Sequence, residues 1–241
     1  MCPAGWDIEC ALWDSGLLVA GVDEAGRGPL AGPVVAAAVI FPCGCDLPGL
    51  DDSKQLSAKR RGELAVLIKQ HALATACAAV GPEEIDRRGL LPATFQAMTE
   101  ALTALTATPD YALVDGPLLP PRLSLPAQPV VHGDGRCASI AAASILAKVA
   151  RDEMMCEFHR QFPHYGFDRH KGYCTDFHLQ TLAQFGPCPI HRRSFAPVKE
   201  ALAFKQNSSF EDFLRHGTLS RTIIVAGKTP LRSLNPALKE D

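Results

Sequence analysis

Two apolar runs, residues 17–22 and 34–41, are partly β-branched and bounded by turn residues. Such runs predict neighbouring strands, both mostly buried. Ala74–Val80 predicts a third strand and residues 110–115 a fourth, which ends in a carboxylate followed by glycine. Val130-Val131 predicts a short fifth strand leading into His132-Gly133-Asp134-Gly135-Arg136. Residues 58–73 carry helical period, with Leu64, Leu67 and Ile68 on one face and Lys59, Arg60, Arg61 and Glu63 outside, and Ser57 is placed as their N-cap. Pro82-Glu-Glu-Ile-Asp suits the first turn of a short helix. A longer helix is expected from Leu91 or Ala93 to Thr106. Residues 117–129 are proline-rich and predict irregular backbone. A long helix is expected over 137–162, small-residue rich at first and charged and amphipathic from Lys148. Residues 163–171 read as a loop, and 175–185 as a helix capped by Thr175. Residues 1–16 form a lead-in anchored by Trp6 and Trp13. Strands first, then strands separated by helices, predict a mixed α/β layer architecture around one core.

Composition narrows the class. The chain has 241 residues, 47% of them hydrophobic and 21% charged, with a formal net charge of −2. This suffices for one large domain or a domain with an appendage. The charge balance gives no global polycation, so any nucleic-acid contact must be local. Local basic groups exist at Lys59-Arg60-Arg61, Arg169-His170-Lys171 and His191-Arg192-Arg193, and the loop clusters are expected to line a phosphate groove. Nine cysteines occur without any Cys-x-x-Cys pair, and Cys43-Gly-Cys45 is the one close spacing. Free thiols in a reducing cytoplasm are the expectation. The N-terminus lacks a basic start before an apolar run, and no run of about 18 apolar residues implies a membrane span.

The chemistry concentrates in Asp23-Glu24, Asp115 and Asp134, each following an apolar run and lying next to or near glycine. A carboxylate at the end of a buried strand is costly to desolvate unless a cation sits on it. Magnesium takes oxygen ligands, one or two carboxylates plus phosphate oxygens and waters, and two such ions can clamp a phosphodiester. The four carboxylates are expected to meet at one sheet edge around Mg2+ or Mn2+. Successive strand side chains point to opposite faces, so Asp23 and Glu24 reach one site only if the strand ends or bulges there. The glycines of Gly26-Arg27-Gly28 allow close approach of backbone to a ligand. Arg151-Asp152 reads as an internal helix pair, with Asp152 structural.

Residues 22–35, Val-Asp-Glu-Ala-Gly-Arg-Gly-Pro-Leu-Ala-Gly-Pro-Val-Val, closely resemble the signature of bacterial ribonuclease HII. The resemblance continues through Asp52-Ser53-Lys54-Gln55-Leu56-Ser57, Leu113-Val114-Asp115-Gly116, Gly133-Asp134-Gly135-Arg136, residues 141–152, Tyr165-Gly166-Phe167, His170-Lys171-Gly172-Tyr173 and residues 191–198. It implies an RNase H-like fold, a mixed five-stranded sheet flanked by helices with a helical C-terminal part. It implies a metal-dependent endoribonuclease that cuts the RNA strand of RNA/DNA hybrids and 5′ of ribonucleotides embedded in DNA, leaving 3′-hydroxyl and 5′-phosphate ends, as in ribonucleotide excision repair. Asp23, Glu24, Asp115 and Asp134 match the family's metal ligands. Gly26, Arg27 and Gly28 match the turn that senses the ribose 2′-hydroxyl, the group that distinguishes RNA from DNA. Tyr173 matches the tyrosine that stacks on the following deoxyribose, and Lys54 a phosphate contact.

His132 stands where relatives often carry lysine, and Cys174 where proline is common. Residues 1–204 are expected to form the catalytic domain. Residues 205–241 are expected to form an extension with linker composition at 205–209, a helix at 210–215 and an apolar run at 222–226. A cytoplasmic monomer is expected. The rivals are another RNase H-like enzyme, such as ribonuclease HIII or a strand-transfer nuclease, and a silent hybrid-binding module. Only about 20 residues precede Asp23, too few for a large N-terminal substrate-binding domain.

Overall fold

A computed structural model of the protein describes residues 5–47, 49–50, 56–121 and 123–207. In chain order its elements are α1 (Asp7–Trp13), β1 (Val19–Ala25), β2 (Val34–Ile40), α2 (Ala58–His71), β3 (Ala74–Val80), α3 (Pro82–Arg88), α4 (Leu90–Thr103), β4 (Tyr111–Asp115), β5 (Ala127–Val130), α5 (Ala138–Gln161), α6 (Phe167–His170), α7 (Asp176–Phe185) and α8 (Ala196–Asn207). Lys54 and the proposed extension from residue 208 on, with its 210–215 helix and 222–226 run, lie outside the described residues; residues 205–207, expected as linker, instead continue α8.

The strands make one mixed sheet in the order β3-β2-β1-β4-β5. β1 pairs antiparallel with β2 and parallel with β4, so the most buried strands sit centrally. On one face α1, α2 and α5 pack a core that includes Trp6, Leu64, Ile68, Ile140 and Ile145. On the other, α3 and α4 contribute Ile85, Ala97 and Met98 against Ala20, Val22 and Val114. Helix α5 can lie this close because its first half is small. A Cβ on Gly21 of β1 would fall 2.2 Å from the Ser139 carbonyl carbon, so glycine there sets the helix-to-sheet spacing. The caps form as expected: Ser57 Oγ accepts from Arg60 N–H, and Thr175 Oγ1 from His178 N–H.

Several elements differ from the sequence expectation. β1 neither ends at Val22 nor bulges, since its ladder with β2 runs unbroken through Ala25↔Val35. β5 begins inside the proline-rich stretch and includes Pro129; it is an edge strand, where a missing N–H is tolerated. The lead-in contains α1, whose Glu9 carboxylate accepts from Ser139 N–H and Oγ–H in the first turn of α5. The expected 163–171 loop contains a 3₁₀ turn, Pro163–Tyr165, and α6. Helix α8, in the expected helical C-terminal part, packs Val198 and Ala201 on Leu30 and Leu182. Cys10 is disulfide-bonded, against the expectation of thiols throughout; Cys43, Cys45, Cys77, Cys137, Cys156, Cys174 and Cys188 are free.

Candidate active site at the ends of the central strands

Asp23 and Asp115 follow the last β1–β4 ladder pair, Val22↔Val114, and stand side by side at the same level. Strand alternation puts both on the face that carries α5. Asp23 is only 4% exposed. Its Oδ1 accepts from Glu24 N–H at 2.7 Å, and the Ser144 hydroxyl of α5 also bonds its carboxylate. Burial holds the Asp23 carboxyl well above the usual carboxylate range, and the charges of Glu24 and Asp115 push it further; the two hydrogen bonds offset only part. Asp115 is anchored by Gly133 N–H, which donates to its Oδ1 at 2.7 Å. That bond ties the 3₁₀ turn Gly133–Gly135 to the end of β4, and Asp134 is the middle residue of this turn. Asp134 lines a neighbouring cleft of about 360 Å³ with Trp6, Asp46, Arg136 and Cys137.

Asp23 is therefore within electrostatic reach of both Glu24 and Asp115, with Asp134 on the turn bonded to Asp115. Because the β1 ladder runs on unbroken, Glu24 alternates to the other strand face, so the expected meeting of all four carboxylates at one point is not formed among the described residues. Among the described residues, no three His, Cys, Asp or Glu side chains close on one point as a finished metal cage. No described cation forms an ion pair with Asp23 or Asp115, whereas Arg27 Nη1 lies 3.3 Å from Glu24 Oε1. An open, all-oxygen, negatively charged donor set fits a hard divalent ion that completes its shell with water and phosphate.

The Gly26-Arg27-Gly28 turn is held from behind. Arg192, fully buried, donates Nη2 to Gly26 O at 2.6 Å, Nη1 to Arg27 O at 3.0 Å and Nε to Gly32 O at 2.9 Å. Arg151, also fully buried, donates to the carbonyls of Pro33, Ala31 and Lys171. Burial, and then the charge of Arg151, push the Arg192 guanidinium down to about 9. Gly26 has φ 95°, and a Cβ there would lie 2.1 Å from Arg151 Nε. Tyr173, 43% exposed, sits beside the turn: a Cβ on Gly28 would be 3.6 Å from Tyr173 Cε1. Lys148 Nζ lies 5.7 Å from the Tyr173 ring centroid and also pairs with Asp152 Oδ1 at 2.6 Å.

Two basic groups thus differ from expectation. His191 and Arg192 are interior and cannot line a phosphate groove, although Arg193 is exposed. Arg151 turns away from Asp152 into the core, and Asp152 instead meets Lys148 and Arg61. Asp86 fixes the 191–194 segment by accepting from Arg193 N–H, Ser194 N–H and Ser194 Oγ–H. Sequence reading missed Ser144, Arg151, Arg192, His178 and His191 as parts of the site. One signal for Arg151 was available: Ser144, Ala147, Arg151 and Met155 fall on one helical stripe, and all are buried.

His178 and His191 make a testable case of buried basicity. Burial pushes their imidazoles down, to about 4 and about 3. The unfolded chain takes up protons below its ordinary value near 6.5 while the folded chain does not, so stability is present above that pH and is lost as pH falls toward 4. At about 1.4 kcal/mol per unit, the loss is on the order of several kcal/mol for the pair. Unfolding free energies from urea titrations of the Asp23→Asn protein, which lacks the opposing raised carboxyl, should differ by about that much between pH 7 and pH 4.5. Equal free energies would rule out neutral burial of this pair.

A mixed sheet in this order, carrying carboxylates at the ends of two central strands, defines an RNase H-like nuclease. The ribonuclease HII family model matches residues 20–198. Ribonuclease HII of Geobacter metallireducens is 53% identical over 199 residues, covering 82% of this chain and 93% of that protein. The crystal structure of ribonuclease H2 from Pyrococcus horikoshii superposes with a TM-score of 0.67 at 27% identity, covering 79% of this chain and 99% of the other. A ribonuclease HII solved with PCNA from Archaeoglobus fulgidus gives 0.62 at 30% identity, covering 75% and 96%. The chain belongs to the ribonuclease HII family, endonucleases that hydrolyse the RNA of RNA/DNA hybrids.

Proposed function

We propose that this chain cuts the phosphodiester on the 5′ side of a ribonucleotide, either in a hybrid or embedded singly in duplex DNA, with Asp23, Glu24, Asp115 and Asp134 holding divalent ions. The observation that carries this reading is Asp23, a buried carboxylate repelled by Glu24 and Asp115 with no described cation paired to it. Bound Mg2+ or Mn2+ would supply Lewis acidity toward the attacking water and charge stabilisation for the departing 3′-oxygen. The chain's own part is to fix the donors. Ser144 and Glu24 N–H orient Asp23, and Gly133 N–H orients Asp115. Water oxygen bonds to phosphorus as the bond to the preceding 3′-oxygen breaks, giving a 3′-hydroxyl and a 5′-phosphate.

Arg27 and Gly28 present exposed backbone to the ribose 2′-hydroxyl, and Gly26, buried behind them, shapes the turn with the Arg192 clamp. Tyr173 stacks on the next deoxyribose, and Lys54 contacts a phosphate. The chain acts as a monomer in the cytoplasm; no described helix is long and apolar enough to cross a membrane. The test is a DNA duplex with one ribonucleotide and a labelled 5′ end. A single cut 5′ to the ribonucleotide, abolished by EDTA and restored by Mg2+ or Mn2+, is expected. Binding without cutting, or cutting that persists in EDTA, would refute the reading.

A further inference from the structure

The inference here rests on the reading of Tyr173 as the residue that stacks at the ribonucleotide–deoxynucleotide junction. Tyr173 stands on a short segment whose main chain is gripped at every step. Arg151 donates to Lys171 O, Leu30 N–H donates to Gly172 O, and Gly172 N–H donates to His170 Nδ1. Thr175 N–H and the His178 ring both address Tyr173 O, with His178 Nδ1 at 2.9 Å. Behind His178 stands His191, their Nε2 atoms 3.0 Å apart and both rings buried. Cys188 N–H lies 3.0 Å from His191 Nδ1.

The two ends of this chain are fixed by chemistry. A backbone N–H can only donate, so His191 Nδ1 accepts and its proton sits on Nε2. That proton is donated to His178 Nε2, so the His178 proton sits on Nδ1 and is donated to Tyr173 O, which can only accept. The sequence Cys188 N–H to His191 to His178 to Tyr173 O is one-way and permits one tautomer for each ring. A second proton on either ring would set two N–H groups facing each other. The His170 ring stacks on His178 with centroids 4.4 Å apart, and Phe167 packs edge-on against it, so His178 has little room to turn.

We propose that His191 and His178 are positioning residues for Tyr173: their one-way hydrogen-bond chain fixes the tyrosine's main chain, and with it the ring beside Gly28, and so sets the preference for a ribonucleotide–deoxynucleotide junction over an all-RNA strand. Neither ring reaches the Gly26–Gly28 turn through any described hydrogen bond, so their effect on substrate choice runs through Tyr173.

The test compares kcat/KM on two duplexes, one with a single ribonucleotide in DNA and one an RNA/DNA hybrid. Asn places an amide N–H where His carries Nδ1, whereas Gln places it at Nε2. H178Q therefore loses the donor to Tyr173 O and H178N keeps it. H178Q should lower kcat/KM on the single-ribonucleotide duplex about tenfold or more, mostly through KM, with less than threefold loss on the hybrid. H178N should keep the ratio between substrates within threefold of the unmodified protein. Y173A should lose the ratio, and H178Q added to Y173A should change it no further. If H178Q and H178N fall in parallel on both substrates, the pair is merely structural and the proposal is wrong. If Y173A loses the ratio while H178Q keeps it, the relay fails alone. If Y173A itself keeps the ratio, the stacking reading of Tyr173 fails and takes the proposal with it.

Discussion

Asp23→Asn should abolish cleavage while making the protein more stable. The two effects have one cause. Asp23 is buried, its carboxyl is repelled by Glu24 and Asp115, and only two hydrogen bonds offset the loss of water. The amide of Asn keeps an oxygen for Glu24 N–H and a group for the Ser144 hydroxyl, so the local bonding survives. What disappears is one negative charge in a site already crowded with them. Relieving a buried, repelled charge is worth on the order of 1–2 kcal/mol. For a chain of this size that should raise the thermal midpoint by roughly 2–8 °C. The same charge is what a divalent ion needs. Removing it from a metal-assisted hydrolysis should cost several kcal/mol of transition-state stabilisation, roughly a thousandfold in kcat/KM. Calorimetry set beside a single-turnover assay on a single-ribonucleotide duplex checks both halves. An Asp23→Asn protein that melts lower and still cuts would show that Asp23 is an ordinary satisfied core carboxylate. A stable, inactive protein is the trade-off expected where function keeps an unfavourable charge in place.

The parts of this site that were legible in sequence are those whose signal is local. Asp115 closes an apolar run before glycine, Ser57 and Thr175 precede helical period, and the small residues of α5 run together. Each of these patterns has a cause within a few positions. The parts that were not legible have their partners far away. Glu9 caps α5 across 130 positions, and Arg192 reaches the carbonyls of Gly26 and Arg27 across more than 160. Carbonyl acceptors carry no side-chain signature, so nothing in His191-Arg192-Arg193 separates a buried clamp from a solvated basic face. The same limit applies to Arg151, whose neighbour Asp152 offers an obvious and wrong partner. The paired histidines could be counted but not joined, because thirteen positions and a turn separate them. The run at 17–22 stops three residues short of the end of β1, since carboxylates in a buried strand run against propensity. The strand tolerates them where its neighbour β4 stops and substrate chemistry begins.

The clamp itself yields the largest expected loss of stability. Arg192 spends its fork on three carbonyls, those of Gly26, Arg27 and Gly32, and pairs with no described carboxylate. Two opposing terms decide what its removal does. Burying a guanidinium beside a second buried arginine is costly, which is why it is pushed down to about 9. Leaving the buried carbonyls of Gly26 and Gly32 without this donor is costly too, at about 1–3 kcal/mol each, with less for the part-buried carbonyl of Arg27. Arg192→Met separates the terms, because methionine fills most of the volume and supplies no donor. If charge burial dominated, Arg192→Met would be neutral or stabilising, as some buried ion pairs are when replaced. The carbonyl term should win here, since the acceptors belong to a turn with left-handed φ at Gly26 and cannot relax into secondary structure. Arg192→Met should therefore cost on the order of 3 kcal/mol in urea unfolding. Arg192→Ala should cost about 3–5 kcal/mol, the added loss coming from the cavity. Arg192→Lys should fall between, keeping the charge but losing the planar fork. A midpoint for Arg192→Met equal to that of the unmodified protein would mean that the Gly26–Gly28 turn holds its shape without the clamp.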